Sequence, residues 1–151
     1  VSDAKSMEKY LIEDLGVPKN RIQLLLDTSD GLGLDTTSPT RANIIKMALY
    51  SLVDNLDIKR GDNIIVYFAG QGTRYAAKEY YRSRTLPGVS LASIRPIEAL
   101  CPKDRTSKDS TGSLIPDVSV HEINAPFTQI SLTKGHTITL ILDCYSGTHT
   151  K

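Results

Sequence analysis

The stretch Ile64-Ile65-Val66-Tyr67-Phe68-Ala69-Gly70-Gln71-Gly72-Thr73-Arg74 constrains the fold more than any other part of the chain. Its opening run of apolar, strand-forming residues predicts a buried strand, and Gly-Gln-Gly predicts a tight loop at the strand's carboxyl end. In an open α/β sheet, ligands and reacting side chains gather at that edge. A second run of the same kind, Thr137 to Asp143, is followed by Cys144-Tyr145-Ser146-Gly147. Two readings are open for the pair: core strands that end in turns, or strand ends that together build a site.

The segments around these runs alternate in type. Ala4, Met7, Leu11 and Leu15 recur at helical spacing, so residues 3–15 are expected to form a helix, capped by Asp3 and ended by Gly16 and Pro18. Arg21 to Leu26 reads as a short strand, and Asp27 to Pro39, rich in Gly, Asp, Ser and Thr, as a loop. Thr40 is placed to cap a second helix, whose face is Ile45, Ala48, Leu49, Leu52, Val53 and Leu56. Residues 74–96 have no clean period. Their tyrosines, Tyr75, Tyr80 and Tyr81, suit a short helix, a lid, a recognition surface or a solvated connection. Ile97 to Pro102 predicts a strand, Lys103 to Pro116 a polar loop, and 118–132 a helix that Pro126 should kink or break. Helices alternating with strands predict one α/β domain over 1–151, a sandwich built on a mostly parallel sheet.

Composition narrows the class of function. The net charge is +1, which gives no footprint for nucleic acid or a membrane surface, and no apolar run reaches the ~20 residues of a membrane span. No signal-peptide pattern opens the sequence, so Cys101 and Cys144 are expected as free thiols in a reducing, cytoplasmic compartment. The chain begins at Val1 without a methionine and stops after His149-Thr150-Lys151, and is expected to be part of a longer protein.

Cys144 carries the most chemistry. A cysteine nucleophile needs a lowered pKa or a neighbouring base, usually a histidine brought from elsewhere in the chain. The strand end where such a base would stand holds Gln71. His121 falls on a helix, His136 ahead of a strand, and His149 five residues past the cysteine.

Tyr67-Phe68-Ala69-Gly70-Gln71-Gly72 resembles the Tyr-Phe/Tyr-Ala/Ser-Gly-His-Gly motif of the caspase and metacaspase superfamily of cysteine peptidases. Leu142-Asp143-Cys144-Tyr145-Ser146-Gly147 resembles its Asp-(Ser/Cys)-Cys-His-Ser-Gly motif. Asp3-Ala4, Ala99-Leu100-Cys101-Pro102-Lys103-Asp104 and Ile115-Pro116-Asp117 resemble further family segments, and the likeness is strongest to fungal caspase-domain proteins. The resemblance implies a caspase-like three-layer sandwich, with the family's first strand and the part after the nucleophile missing. It implies a Cys nucleophile for peptide-bond hydrolysis, a histidine base, and an Asp two residues before the nucleophile that selects a basic residue ahead of the cleaved bond. It also implies protein or peptide substrates or caspase-fold partners, and a role related to apoptosis.

Two departures set the expectation for this chain. Gln71 stands at the histidine position. The nucleophile motif is one residue short: counted from Asp143 its slot is Tyr145, counted back from Ser146-Gly147 it is Cys144. Cys144 is the candidate nucleophile and Asp143 the candidate substrate-binding residue. Without a base at Gln71, hydrolysis is expected to be weak or lost, and the alternative is a pseudopeptidase that regulates or binds other proteins. No cofactor is expected. Calcium enters only through the resemblance, since Asp104, Asp109 and Asp117 have no binding-loop spacing.

Overall fold

The computed structural model describes residues 1–27, 38–77 and 95–148. Most of the predicted loop after Asp27, the tyrosines Tyr80 and Tyr81, and His149 lie outside the described residues.

Helix α1 runs Ser2–Glu13, and the helical run α2 comprises Arg41–Asn43, a π-helical stretch Ile44–Tyr50, and Ser51–Asp54. The strands are β1, Ile64–Tyr75; β2, Ile97–Leu100; β3, Val118–Ser119; and β4, Ile138–Thr148, with helix α3, Val120–Lys134, between the last two. The spatial order is β3-β2-β1-β4. The long pairing, β1 with β4, is parallel and runs from Ile64↔Ile138 to Arg74↔Thr148. The short ones, β2 with the end of β1 and β3 with β2, are antiparallel, so the sheet is mixed.

The two faces of the sheet carry different layers. Side chains alternate along a strand. Val66 and Phe68 therefore share one face, where they pack on a core of Leu49, Leu100, Val118 and Ile123, with Ile45 and Phe127. That face is covered by α2 and α3. On the other face, α1 lies against β1, and the charge of Asp3 reaches Tyr67. Helices on both faces of one α/β sheet are the three layers the sequence predicts for a caspase-like core.

Local chemistry explains most boundaries. Thr40 caps α2 as expected, its hydroxyl accepting from the Asn43 amide. At α3, Ser119 and Glu122 form a capping box: the Ser119 hydroxyl accepts from the Glu122 amide and the Glu122 carboxylate from the Ser119 amide. Burial alone would push the Glu122 carboxyl up, but Arg41 and Ser119 outweigh it and hold it below the usual range. Replacing Ser119 by Ala is expected to lower unfolding stability by about 1 kcal/mol in a urea titration.

Four expectations are corrected. Asp3 does not cap α1: Val1 is at that position, and Asp3 lies in the first turn. Leu15 and Leu56 fall outside their helices and are exposed, so the apolar stripes end sooner than the spacing suggests. Arg21 to Leu26 is not a sheet strand. Lys19–Arg21 forms a single 3-10 turn, and the residues after it run beside a cleft of ≈ 1040 Å3 that separates them from β1. A strand needs a neighbour that pairs along its length, and here Leu25 alone makes an isolated bridge. Pro126 does not break α3, which continues from Val120 to Lys134 with the proline ring fully buried. The proline costs the helix about 3 kcal/mol relative to an ordinary residue, and burial of its ring in the core offsets part of that.

Candidate active site

The expected Gly-Gln-Gly loop is not formed: β1 continues through Gly70-Gln71-Gly72 to Tyr75 and β4 through Cys144 to Thr148, because the two strands and β2 go on pairing there, so the two motifs lie side by side within the sheet. The parallel register sets Gly70 opposite Cys144, Gln71 opposite Tyr145, and Ala69 opposite Asp143. Residues opposite each other in neighbouring strands point to the same face, and successive residues to opposite faces. Tyr67, Gln71, Asp143 and Tyr145 therefore belong to the α1 face. Cys144 belongs to the α3 face, one step out of phase with Gln71.

Packing around Cys144 agrees with the alternation. A Cβ built on Gly72, two residues on from Gly70 and on the same face, would lie 3.4 Å from the Cys144 Sγ. The thiol lines a mainly apolar cleft of ≈ 280 Å3 with Leu140, Leu142, Ile123 and Phe127. Gln71 and Tyr145 are exposed, Tyr145 at 84 %. Gln71 is held by its backbone, its carbonyl accepting from the Cys101 amide at 2.9 Å. Sequence spacing leaves Cys144 and Tyr145 both open for the nucleophile slot. The fold puts Tyr145, and not Cys144, beside Gln71.

Of the described histidines, neither His121 nor His136 stands beside these motifs. His136 precedes β4, at the far end of the sheet, where its ring Nδ1 is 2.5 Å from the Ser131 hydroxyl. His121 is exposed near the start of α3, beyond β3 and two strands from β1.

The α1 face of this region is acidic. Tyr67 donates a 2.8 Å hydrogen bond to Asp143 Oδ2 across the two long strands. That bond, with some burial and the charges of Asp143 and Asp3, pushes the Tyr67 hydroxyl up to about 12. Asp143 thus holds this tyrosine by a hydrogen bond, and the charge of Asp3 also reaches it. Sequence analysis singles out Asp143 and misses Tyr67 and Asp3. Period-two alternation along β1 was the signal for Tyr67, which stands four residues before Gln71 and so shares its face. Asp3 carries no such signal, because only the packing of α1 on the sheet brings it there.

A second polar cluster fastens the end of β1 that pairs with β2. The side chain of Asp117 is 3 % exposed and accepts from the Tyr75 hydroxyl and, at 2.8 Å, from Arg105 Nη2. Burial first, and then the Asp117 bond, push Tyr75 up to about 12. Burial and the Asp117 charge also raise the Cys101 thiol, which keeps it protonated and poorly nucleophilic at neutral pH. Arg41 ties the same region to α2 and α3, donating to the Asp117 carbonyl at 3.0 Å and pairing with Glu122.

The three carboxylates weighed for a cation serve separate ends. Asp104 accepts from the Arg41 amide at 2.8 Å, Asp109 closes its own turn with Thr111 and Ser113, and Asp117 is buried against Arg105. Among the described residues no three His, Cys, Asp or Glu side chains group as a metal site.

The family model for the metacaspase, peptidase C14 domain matches residues 1–151. The chain belongs to the metacaspase family. Metacaspase-3 of Arabidopsis thaliana is 28% identical over 149 residues, covering 98% of this chain and 34% of its own length. Metacaspase-4 of Arabidopsis thaliana is 37% identical over 78 residues, 52% of this chain and 17% of that protein. Metacaspase-1A of Aspergillus oryzae is 33% identical over 72 residues, 48% of this chain and 16% of that protein. This metacaspase domain therefore spans about a third or less of the length of these relatives. Its family is one of cysteine peptidases, and its mixed sheet flanked by helices is that of a caspase-like core.

Proposed function

We propose that this metacaspase domain recognises protein segments through a basic residue held at Asp143, with Asp3 beside it, and that its peptide-bond hydrolysis is weak or absent. The observation that carries this reading is the register, in which Gln71 faces Tyr145 while Cys144 lies on the other face. A glutamine amide has no site that takes a thiol proton near neutral pH. It cannot protonate a leaving amine either, and positioned acid–base assistance contributes about 10²–10⁴ in rate. The Asp143 carboxylate needs neither group to bind a cation. The domain would thus act as a regulatory or interaction module.

The test is to incubate the chain with peptides carrying Arg, Lys or Asp ahead of the scissile bond, and with a thiol-reactive peptidyl inhibitor read by mass spectrometry. The expected result is no turnover above buffer and no adduct at Cys144. Covalent labelling of Cys144 in the unmodified chain would overturn the proposal in favour of a working cysteine peptidase.

A further inference from the structure

The hydrogen bond between Tyr67 and Asp143 joins the two strands that form the candidate site, and neither residue is in the hydrophobic core. Tyr67 pairs in register with Ile141, and Asp143 with Ala69, so the bond runs diagonally, one pleat along the same face. A carboxylate exposed on the face of a strand has a broad, weakly held terminal torsion. A phenol donating to one oxygen fixes that torsion and leaves the other oxygen to face outward. Because the bond is open to solvent, its contribution to folding is small, and orienting the carboxylate is the larger consequence.

We propose that Tyr67 is a positioning residue, whose hydroxyl holds the Asp143 carboxylate in the orientation that receives the basic side chain of a bound peptide. This inference rests on Asp143 being the site for a basic residue. Tyr67 does not touch the guest in this role. It acts through Asp143 and sets how well the guest is held. The raised pKa of Tyr67 agrees, since the bond to Asp143 is its largest cause and keeps the phenol a donor throughout the physiological range.

The experiment is an NMR titration of the full chain with agmatine, a guanidinium probe, read from the backbone amides of the β1 and β4 strand ends. The unmodified chain is expected to bind, and Asp143→Asn to lose binding. Tyr67→Phe, which keeps the ring and the melting curve, is expected to bind about three- to tenfold more weakly, the range for one net hydrogen bond. In the Asp143→Asn background, Tyr67→Phe is expected to have no further effect.

Equal affinity of Tyr67→Phe and the unmodified chain overturns the positioning role while leaving Asp143 as the site. An equal loss in both backgrounds also overturns it, because the tyrosine would then act independently of Asp143. Failure of the unmodified chain to bind agmatine overturns the basic-residue site itself and the role of Tyr67 with it. A second measurement needs no ligand. The Tyr67 hydroxyl, followed by carbon NMR, should titrate near 12 in the unmodified chain and move back toward 10 in Asp143→Asn. An unmoved titration counts against the coupling.

Discussion

Combining Gln71→His with Tyr145→Cys is expected to give a chain that a thiol-reactive peptidyl inhibitor labels at position 145, whereas Gln71→His alone leaves Cys144 unlabelled. The two positions are register partners in a parallel pair, and adjacent strands lie about 4.8 Å apart, so an imidazole and a thiol placed there share a face and come within reach of one another. Gln71→His alone supplies a base on the α1 face while the native thiol stays on the α3 face beside Leu142 and Ile123. Both replaced side chains are exposed, and surface substitutions usually change stability by no more than about 0.5 kcal/mol. A failure to react would therefore not be a failure to fold. The labelling rate of the double variant should exceed that of either single variant by about 10²-fold or more, the lower end of what a positioned base supplies. Labelling of Cys144 in Gln71→His would show that the thiol reaches the base from its own face, and the proposed loss of catalysis would then rest on Gln71 alone.

Removing the buried carboxylate of Asp117 is expected to be the most damaging single change to stability described for this chain. Asp117→Ala removes a buried carboxylate that accepts from the Tyr75 hydroxyl and pairs with the Arg105 guanidinium. Breaking a buried ion pair by deleting one partner costs about 3–5 kcal/mol. Arg105 keeps about a quarter of its side-chain exposure, so water recovers part of that, and a loss of about 2–4 kcal/mol is expected from urea unfolding. Asp117→Asn, which keeps an acceptor for Tyr75, should cost less. The same variants have a chemical readout. The Asp117 charge helps to raise the Cys101 thiol, so alkylation of Cys101 by iodoacetamide should accelerate in Asp117→Asn. An unchanged alkylation rate would place the cause in burial alone.

Much of the architecture was legible from local pattern. β1 and β4 open on apolar runs whose residue types favour strands, but the burial expected of them is not found: β4 is an edge strand, and Ile65, Leu140 and Leu142 are exposed. Thr40 and the spacing of Ile45, Ala48, Leu49 and Leu52 mark α2, because capping and helical period are local properties. The segment at Arg21 to Leu26 was misread for the complementary reason. Its side chains suit a strand, but a strand exists only where a neighbour pairs along its length, and here Leu25 alone makes an isolated bridge. Pro126 was misread in the other direction: local cost argued for a break, while burial of the ring against the rest of the core kept α3 whole.

The candidate site divides along the same line. Gln71 in place of a base, a motif one residue short, and an aspartate just before the cysteine are covalent facts, and the sequence by itself determined them. It left the nucleophile slot open between Cys144 and Tyr145, because counting from either end of a shortened motif is equally valid. Only the tertiary structure decided which residue stands beside Gln71. Side chains alternate with a period of two, so a shift of one residue sends a thiol from one face of the sheet to the other, and the pairing of β1 with β4 is what sets the phase. The pairing placed Tyr145 beside Gln71 and Cys144 beneath α3. The same packing brought Asp3 from the far end of the chain to the tyrosine that holds Asp143.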